Sequence, residues 1–398
     1  MQAVSNKTLV YFDFVTHYGG AQRSTILLCK ELAEDNDVYV IDAYGVCQEY
    51  VRAFEGSKVK FRKLCSDSKN SYIGSQNKPL LRVLKIFMQI PHLLKLRRRL
   101  KSELDRIDCD LIWTNHVKSL FSLYLCGAFQ KYPVVMFARR WYRRQELNWF
   151  KRQLVKKVDG VLPISNAAAE AMQQWGVEKE KIYVVYIAID FDKVQRDSLK
   201  ELDSLPPGYD SPYKIILPGQ LIYSKGQIDA IETARLLKER NYEFVLWLAG
   251  DIKEGASEDY PGKLRALIQR YQLEKNVFML GHRSDVRSLM RHCDLVFLPT
   301  HGEGLGRVIV EAMAMERPVV ATAAGGVLDL VIHGKTGLLA EVSNAEQLAD
   351  SVEKIMNNSK LRDTLVQDAK SHLFNTFTLQ KHVGLVKQAF DRIIKSSR

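Results

Sequence analysis

The feature that most constrains the fold is an alternation of short β-rich segments with longer amphipathic segments along almost the whole chain. The candidate strands are residues 9–14, 38–41, 59–62, 111–114, 134–137, 160–164 and 182–186 in the first half and 214–218, 244–249, 277–280, 295–298, 319–322 and 337–340 in the second. Amphipathic segments such as 21–32 and 166–175 lie between them. Because parallel strands are joined by long crossovers, usually helices, this order predicts parallel α/β sheets with helices on both faces.

The alternation occurs as two series, which predicts two doubly wound, Rossmann-like domains that face each other across a cleft. A chain of 398 residues is long enough for two cores. Between the series lies the polar stretch 196–213, in which Pro206, Pro207 and Gly208 cannot continue a helix. We therefore assign residues 1–205 to an N-terminal domain and 206–378 to a C-terminal domain. We expect a last helix, residues 379–398, to join the N-terminal domain.

The excess of basic residues is confined to the first half of the chain. The net charge is +12, and the first 200 residues account for all of it, with 33 basic and 21 acidic residues. Residues 80–104 form a basic amphipathic segment that predicts a helix, bent at Pro91. Three interpretations stay open: a solvated helix face, a surface that contacts anionic membrane, or a nucleic-acid site. We expect no nucleic-acid partner.

Nothing in the chain indicates secretion or a metal centre. No apolar run approaches the roughly 20 residues that cross a bilayer, and the N-terminus has no apolar signal segment. The six cysteines form no Cys-x-x-Cys pair, and the nine histidines show no metal-ligand spacing. We therefore expect a cytoplasmic protein, with the membrane surface as an alternative location, that has reduced cysteines and no metal or other cofactor.

The most informative loop follows the candidate strand 295–298 and opens a helix at about Arg307. Alternating glycines allow close approach of a ligand to the backbone, and the start of a helix offers N–H groups to an anion. Two carboxylates accompany them, one in the loop and one a turn into the helix. These residues are Gly302, Glu303, Gly304, Leu305, Gly306, Arg307 and Glu311.

Other loops after strands carry weaker signals, and each is also consistent with an ordinary turn or a surface side chain. Two glycines before a helix leave space for a phosphate, and a lysine near a glycine turn suits a diphosphate. These candidates are Gly19 and Gly20; Gly219, Gln220 and Lys225; Gly250; His282 and Arg283; and Gly325 and Gly326, before a helix expected over 328–332. His116 and His301 are either ligand-facing or ordinary loop histidines. No G-x-G-x-x-G follows the first strand, which disfavours a nicotinamide cofactor.

These residues resemble the retaining nucleotide-sugar glycosyltransferases of family four, which have the GT-B fold. The Glu303/Glu311 pair, the glycine after Glu303, Lys225-Gly226 and Gly325-Gly326 bear the resemblance in the second half, and Gly19-Gly20 bears it more loosely in the first. It implies that Glu311 holds the ribose hydroxyls of the donor and that Glu303 contacts its sugar. It also implies that the backbone of residues 304–306 binds the donor, that Lys225 neutralises the diphosphate, and that Gly19 and Gly20 close over it.

The chain departs from the family at three places. Gln220 stands where Arg is usual, and Arg307 is one candidate to replace the missing cation. The residues after the strand 134–137 are Ala138 and Arg139, where a His is usual, so Arg139 either brings a charge to the sugar or phosphate or marks a different sugar pocket. Ile187-Ala188 replaces a usual Asn-Gly turn. We therefore take Glu303, Lys225 and Arg139 as the catalytic candidates.

The resulting hypothesis is a metal-independent retaining transferase. It moves a hexose from a UDP- or GDP-linked sugar to a hydroxyl of a glycan or lipid-linked acceptor, as in polysaccharide biosynthesis. Two alternatives remain: a nucleotide-sugar epimerase or hydrolase on the same fold, and a polyanion- or RNA-binding protein on an enzyme-like scaffold. The charge distribution suggests that the acceptor, or the surface bearing it, is anionic.

Overall fold

The computed structural model describes residues 6–65, 79–139, 149–252 and 259–397, with the backbone alone for residues 79–89. The chain forms two compact units. The N-terminal unit comprises Met1–Ile164, Ala168–Ile187 and Gln380–Arg398, and the C-terminal unit comprises Ser165–Ala167 and Ala188–Leu379. The domain boundary expected between residues 205 and 206 stays a prediction.

The N-terminal unit is built on a six-stranded parallel sheet with the order β3-β2-β1-β4-β5-β6. Its strands are β1 (Thr8–Asp13), β2 (Asp37–Asp42), β3 (Lys60–Lys63), β4 (Leu111–Thr114), β5 (Val134–Ala138) and β6 (Gly160–Pro163). Its first helices are α1 (Gly20–Leu32), α2 (Gln48–Arg52), α3 (Pro79–Ile107), α4 (Val117–Cys126), α5 (Trp149–Lys156) and α6 (Asn166–Gln174). The order reverses direction at β1, so the loops after β1 and β4 flank a topological switch point, where ligands bind in such sheets.

The C-terminal unit repeats this architecture with the order β12-β11-β10-β7-β8-β9. Its strands are β7 (Lys214–Pro218), β8 (Val245–Ala249), β9 (Val277–Gly281), β10 (Leu295–Leu298), β11 (Val319–Thr322) and β12 (Leu338–Ala340). Its helices are α7 (Phe191–Ser198), α8 (Gln227–Glu239), α9 (Tyr260–Arg270), α10 (Val286–Arg291), α11 (Arg307–Ala314), α12 (Val327–Leu330), α13 (Ala345–Asn357) and α14 (Ser359–Thr376). The prediction of two parallel, Rossmann-like α/β sheets is confirmed.

The last helix, α15 (Leu379–Ser397), packs on the N-terminal sheet. The ring of Phe390 lies 5.5 Å from that of Trp113 on β4 and 6.5 Å from that of Phe137 on β5, centroid to centroid. Gly160 on β6 leaves room for this helix, since a Cβ there would lie 2.3 Å from Cδ1 of Ile393. Helix α15 therefore supplies part of the core of the N-terminal unit.

Two local expectations were wrong. Residues 182–186 lie beside β6, where the amides of Tyr183 and Val185 donate to the carbonyls of Val161 and Pro163 over 2.9 and 2.8 Å. They form only one isolated bridge, at Ile182, which is too little pairing for a strand. The helix expected over 328–332 ends at Leu330, because Val331 is extended, with φ −103° and ψ 109°.

The basic segment is part of the long helix α3, with Pro91 inside it. Leu96, Leu100 and Leu104 are buried in the core, while Lys95, Arg97, Arg98 and Lys101 are exposed. In the part of the chain that the structure describes, no helix combines the length and the apolar character that crossing a bilayer requires. All six cysteines are unpaired.

Candidate active site

Four loops of the C-terminal unit pack against one another, backbone to backbone, at the carboxyl edge of its sheet. A Cβ on Gly226 would lie 1.7 Å from the carbonyl oxygen of Pro299, and one on Gly250 would lie 1.9 Å from that of Gly219. Gly326 is equally confined, because its Cβ would lie 2.1 Å from the carbonyl oxygen of Gly304. These glycines are therefore required for contact between loops, before any ligand is considered.

The loop contacts bring Lys225 and Glu303 together, although 78 residues separate them in sequence. The Nζ of Lys225 donates to Oε2 of Glu303 in a short ion pair, and both side chains are about one-fifth exposed, at 22% and 20%. Lys225 ends a short helical turn after β7, and Glu303 precedes the N-terminus of α11. A cation and a carboxylate thus converge where α11 begins.

The N-cap of α11 is Gly306, whose φ of 92° is in the left-handed region and favours glycine. No side chain caps this end of the helix, so no capping side chain occupies its first N–H groups. Leu305 is buried at 2% exposure and anchors the loop. Arg307 is 41% exposed, with Nη2 4.0 Å from Oε1 of Glu311. The N-terminus of α11 can therefore accept an anion with Arg307 beside it.

Glu311 is buried in an ion-pair network that our sequence reasoning missed. Arg287 donates from Nη2 to Oε1 of Glu311 over 2.7 Å and from Nη1 to Oδ2 of Asp197 over 2.5 Å. Burial disfavours the charge on Arg287, but the Glu311 and Asp197 carboxylates outweigh it and raise the pKa of this guanidinium. Arg287 thus holds Glu311 in place between α7, α10 and α11.

The remaining sequence candidates of this unit are more dispersed. Arg283 pairs with both carboxylate oxygens of Asp285, at 2.7 and 2.6 Å, and with Ser204, so its side chain is fully engaged. His282 and Gln220 are exposed. His301 pairs instead with Asp229, with Nε2 2.6 Å from Oδ2. Lys225, Glu303, Arg307 and Glu311 are therefore the candidates that the structure groups around α11.

In the N-terminal unit, Gly19 is the N-cap of α1. Its backbone N–H donates to Oε1 of Gln22 over 3.2 Å and is therefore already used within the protein. Asp13, at the end of β1, is buried at 1% exposure. Its carboxylate accepts from the Tyr11 hydroxyl over 2.5 Å and from the Ser119 hydroxyl over 2.8 Å. Nε2 of the exposed His116 lies 3.7 Å from Oδ2 of Asp13.

Arg139 directly follows β5 and donates from Nε to Oδ1 of Asn115 over 2.8 Å. Asn115 in turn donates to the hydroxyls of Tyr11, over 2.7 Å, and Thr25, over 3.0 Å. The third catalytic candidate therefore belongs to a hydrogen-bond network that reaches Asp13, and the sequence had not indicated Tyr11, Thr25 or Asn115. Within the described ranges, no cluster of three or more His, Cys, Asp or Glu side chains could hold a metal ion.

Two family models match successive parts of the chain. Residues 18–193 match the model described as Glycosyltransferase Family 4, and residues 201–372 match the model described as Glycosyl transferases group 1. Together they cover the strands β2 to β12 and all the candidate residues, whereas β1 lies before the first match.

Two of the similar curated proteins are named for polysaccharide biosynthesis. The capsular polysaccharide biosynthesis glycosyltransferase CapM of Staphylococcus aureus is 28% identical over 209 residues, which cover 52% of this chain and 54% of CapM. The putative colanic acid biosynthesis glycosyltransferase WcaL of Salmonella typhimurium is 30% identical over 243 residues, or 56% of each chain. The chain thus spans little more than half the length of these relatives.

Solved structures match nearly the whole chain. HepE of Anabaena in complex with UDP is 23% identical, with a TM-score of 0.76, over 97% of this chain and 100% of that one. A glycosyltransferase from Rickettsia africae is 18% identical, with a TM-score of 0.77, over 98% and 99%. At these identities the likeness concerns the fold.

Proposed function

Since the chain belongs to the family 4, group 1 glycosyltransferases and has their two Rossmann-like domains, we propose that it transfers a hexose from a UDP- or GDP-linked sugar to a hydroxyl of a glycan or lipid-linked acceptor. The observation on which this rests is the ion pair of Lys225 and Glu303 at the start of α11, with Glu311 about one turn into the same helix beside Arg307. The solved complexes of HepE with UDP and with UDP-glucose support a nucleotide-sugar donor.

The proposed roles follow from charge and position. Glu311, held by Arg287, accepts hydrogen bonds from the ribose hydroxyls. The N–H groups of Gly304, Leu305 and Gly306 and the guanidinium of Arg307 bind the diphosphate, with Lys225 opposite them. Glu303 orients Lys225 and binds hydroxyls of the sugar. Gly219, Gln220 and Gly250, together with the backbone of His282 and Arg283, complete the donor site in this unit.

The proposed reaction retains the anomeric configuration and requires no metal. The bond between the sugar C1 and the phosphate oxygen breaks, and the acceptor oxygen bonds to C1 on the same face. The proton of the acceptor passes to an oxygen of the leaving diphosphate, so no protein nucleophile is needed. Lys225 and Arg307 balance the charge that develops on the diphosphate, as a metal ion would in other enzymes.

A binding screen followed by turnover tests the proposal. We expect UDP- or GDP-sugars to raise the melting temperature, with the stabilisation growing as the logarithm of one plus ligand concentration over Kd. We expect Glu311→Ala to abolish both this shift and turnover. Glu316→Gln, an exposed site beyond the same helix, is the control. Wild-type turnover in Glu311→Ala would refute the proposal, and an epimerised donor or free sugar as the main product would favour the alternative enzyme class.

We further propose that the exposed basic face of α3 contacts an anionic membrane from the cytoplasmic side. Leu94 is 46% exposed beside Lys95, Arg98 and Lys101, which combines an apolar side chain with cations, as interfacial helices do. Binding to vesicles with anionic lipid should fall when Arg98 and Lys101 are both changed to Gln, and it should fall in wild type as salt rises. Equal binding to neutral vesicles would exclude this contact.

A further inference from the structure

Arg139 has a guanidinium whose outer nitrogens lack partners inside the protein. Nε donates to Asn115 over 2.8 Å, and the guanidinium carbon lies 5.2 Å from the centroid of the Phe137 ring. Nη1 and Nη2 are buried and have no hydrogen-bond partner within the described ranges, although the residue as a whole is partly exposed. One edge of the guanidinium is thus anchored, and the outer nitrogens are not used.

The anchor of Arg139 is itself firmly held. Nδ2 of Asn115 donates to Tyr11 over 2.7 Å and to Thr25 over 3.0 Å, so Oδ1 of Asn115 is fixed as an acceptor for Nε. Tyr11 donates onward to Asp13. A fixed side chain with unused donors is pre-organised, because little rotational freedom remains to be lost when a ligand binds.

The charge of this guanidinium is not matched by a contact with a carboxylate. Asp13 influences Arg139 electrostatically, but no ion pair to Arg139 is formed by the described residues. Burial lowers the pKa of the Arg139 guanidinium, yet arginine stays charged at neutral pH. Leaving a charge buried without a direct partner is costly. A bound anion would remove that cost.

We propose that Arg139 recognises an anionic group, a carboxylate or a phosphate monoester, on a substrate of the transferase. This inference rests on the proposed function, and it specifies the class of substrate. A guanidinium presents two parallel N–H donors that match the two oxygens of such a group, whereas a His in this position offers one donor. The excess of positive charge in the same half of the chain favours the approach of such a substrate.

The anionic group can belong to either substrate, and two titrations distinguish the sources. In the donor arm, UDP-glucuronate is compared with UDP-glucose, or GDP-mannuronate with GDP-mannose if GDP is the tighter nucleotide. In the acceptor arm, glucuronate and glucose 6-phosphate are compared with glucose on protein saturated with that nucleotide. Each pair shares a sugar scaffold and differs in the presence of the anionic group.

We expect wild type to prefer the anionic member of one pair by about 10- to 100-fold, the range of hydrogen bonds to charged groups. Arg139→Gln and Arg139→His should lose this preference while UDP or GDP alone binds as before. Arg52→Gln removes the same charge from an exposed helix position of the same unit and should keep the preference.

Equal affinity of wild type for both members of every pair would overturn the proposal, and so would a preference that survives in Arg139→Gln or Arg139→His. Equal affinity of wild type overturns the proposal even if a variant fails to fold, and two different substitutions of Arg139 give two chances of a folded variant. If neither UDP nor GDP binds, the proposed function fails. The acceptor-arm compounds, added to the protein alone, then still test whether Arg139 binds anions.

Discussion

The two units have the same sheet architecture but differ in whether their buried charged side chains have partners. In the C-terminal unit, Arg287 pairs with Glu311 and Asp197, and Arg283 pairs with Asp285. In the N-terminal unit, both outer nitrogens of Arg139 and Oδ2 of Asp42 are buried without a hydrogen-bond partner in the described part of the chain.

This contrast separates a site whose buried charges are paired before a ligand binds from one whose buried charges are held in place but unpaired. Paired side chains keep their orientation whether or not a ligand is bound, which suits the repeated recognition of one nucleotide. Unpaired buried charges weaken the fold until an anion or a proton reaches them. We therefore expect removal of a paired charge in the C-terminal unit to be harmful, and removal of an unpaired buried charge in the N-terminal unit to increase stability.

The largest effect should come from Lys225→Gln. This change removes the cation that we assign to the diphosphate and leaves Glu303 without its partner. We expect kcat to fall about 100- to 1,000-fold, as when one charge-stabilising donor is lost. Lys335→Gln, at an exposed loop position, is the control. Steady-state kinetics with the best donor measures it, and a loss of less than threefold would contradict the assigned role.

Arg287→Met should be the most destabilising change among the paired charges. It leaves the carboxylates of Asp197 and Glu311 partly buried, at 21% and 11% side-chain exposure, without their shared cation. We expect a loss of about 3 kcal/mol in the free energy of unfolding. Urea denaturation measures this loss, with exposed Arg265→Met as the control. Because Arg287 acts through Glu311, the KM for the donor should also rise more than kcat falls.

Asp42→Asn should act in the opposite direction and depend on pH. Burial raises the pKa of Asp42 to about 6, although hydrogen bonds from three backbone N–H groups to its carboxylate partly offset this rise. In the unfolded chain the pKa of an Asp is about 3.9, so between pH 3.9 and pH 6 the folded protein binds more protons than the unfolded chain. The free energy of unfolding therefore falls as pH rises through this window. The variant should gain about 3 kcal/mol at pH 8 and almost nothing at pH 4. Urea denaturation at both pH values tests this, and equal changes would contradict it.

The smallest effects are expected where both units expose their ion pairs. Lys58 and Glu34 are 63% and 60% exposed in the N-terminal unit, and Arg235 and Glu239 are 31% and 58% exposed in the C-terminal unit. Lys58→Met and Arg235→Met should each change stability by less than about 1 kcal/mol. A larger change in one unit would show that the difference between the units is not confined to buried charges.

Sequence reasoning reached the fold because hydrophobic periodicity is local, and it selected the glycine loops because glycine is rare where it is not needed. It did not find Arg287, because an ion pair 24 residues apart leaves no local pattern. It counted Gly250 among the donor-binding residues and left Gly326 open between a phosphate site and a tight turn, whereas a Cβ on either glycine would meet a neighbouring loop. It singled out Arg139 only as a departure from a family pattern. That Nη1 and Nη2 of Arg139 are buried without a hydrogen-bond partner depends on packing, which the sequence alone does not reveal.

Helix α15 also has a consequence for synthesis. The C-terminal unit is almost continuous in sequence. The N-terminal unit, in contrast, needs residues of α15, which lie nearly two hundred positions after Ile187, where the rest of that unit ends. Trp113 and Phe137 cannot complete their packing until Phe390 has left the ribosome. The first unit to be translated is therefore the last to close its core, and chaperones have the longest access to the sheet that carries Arg139.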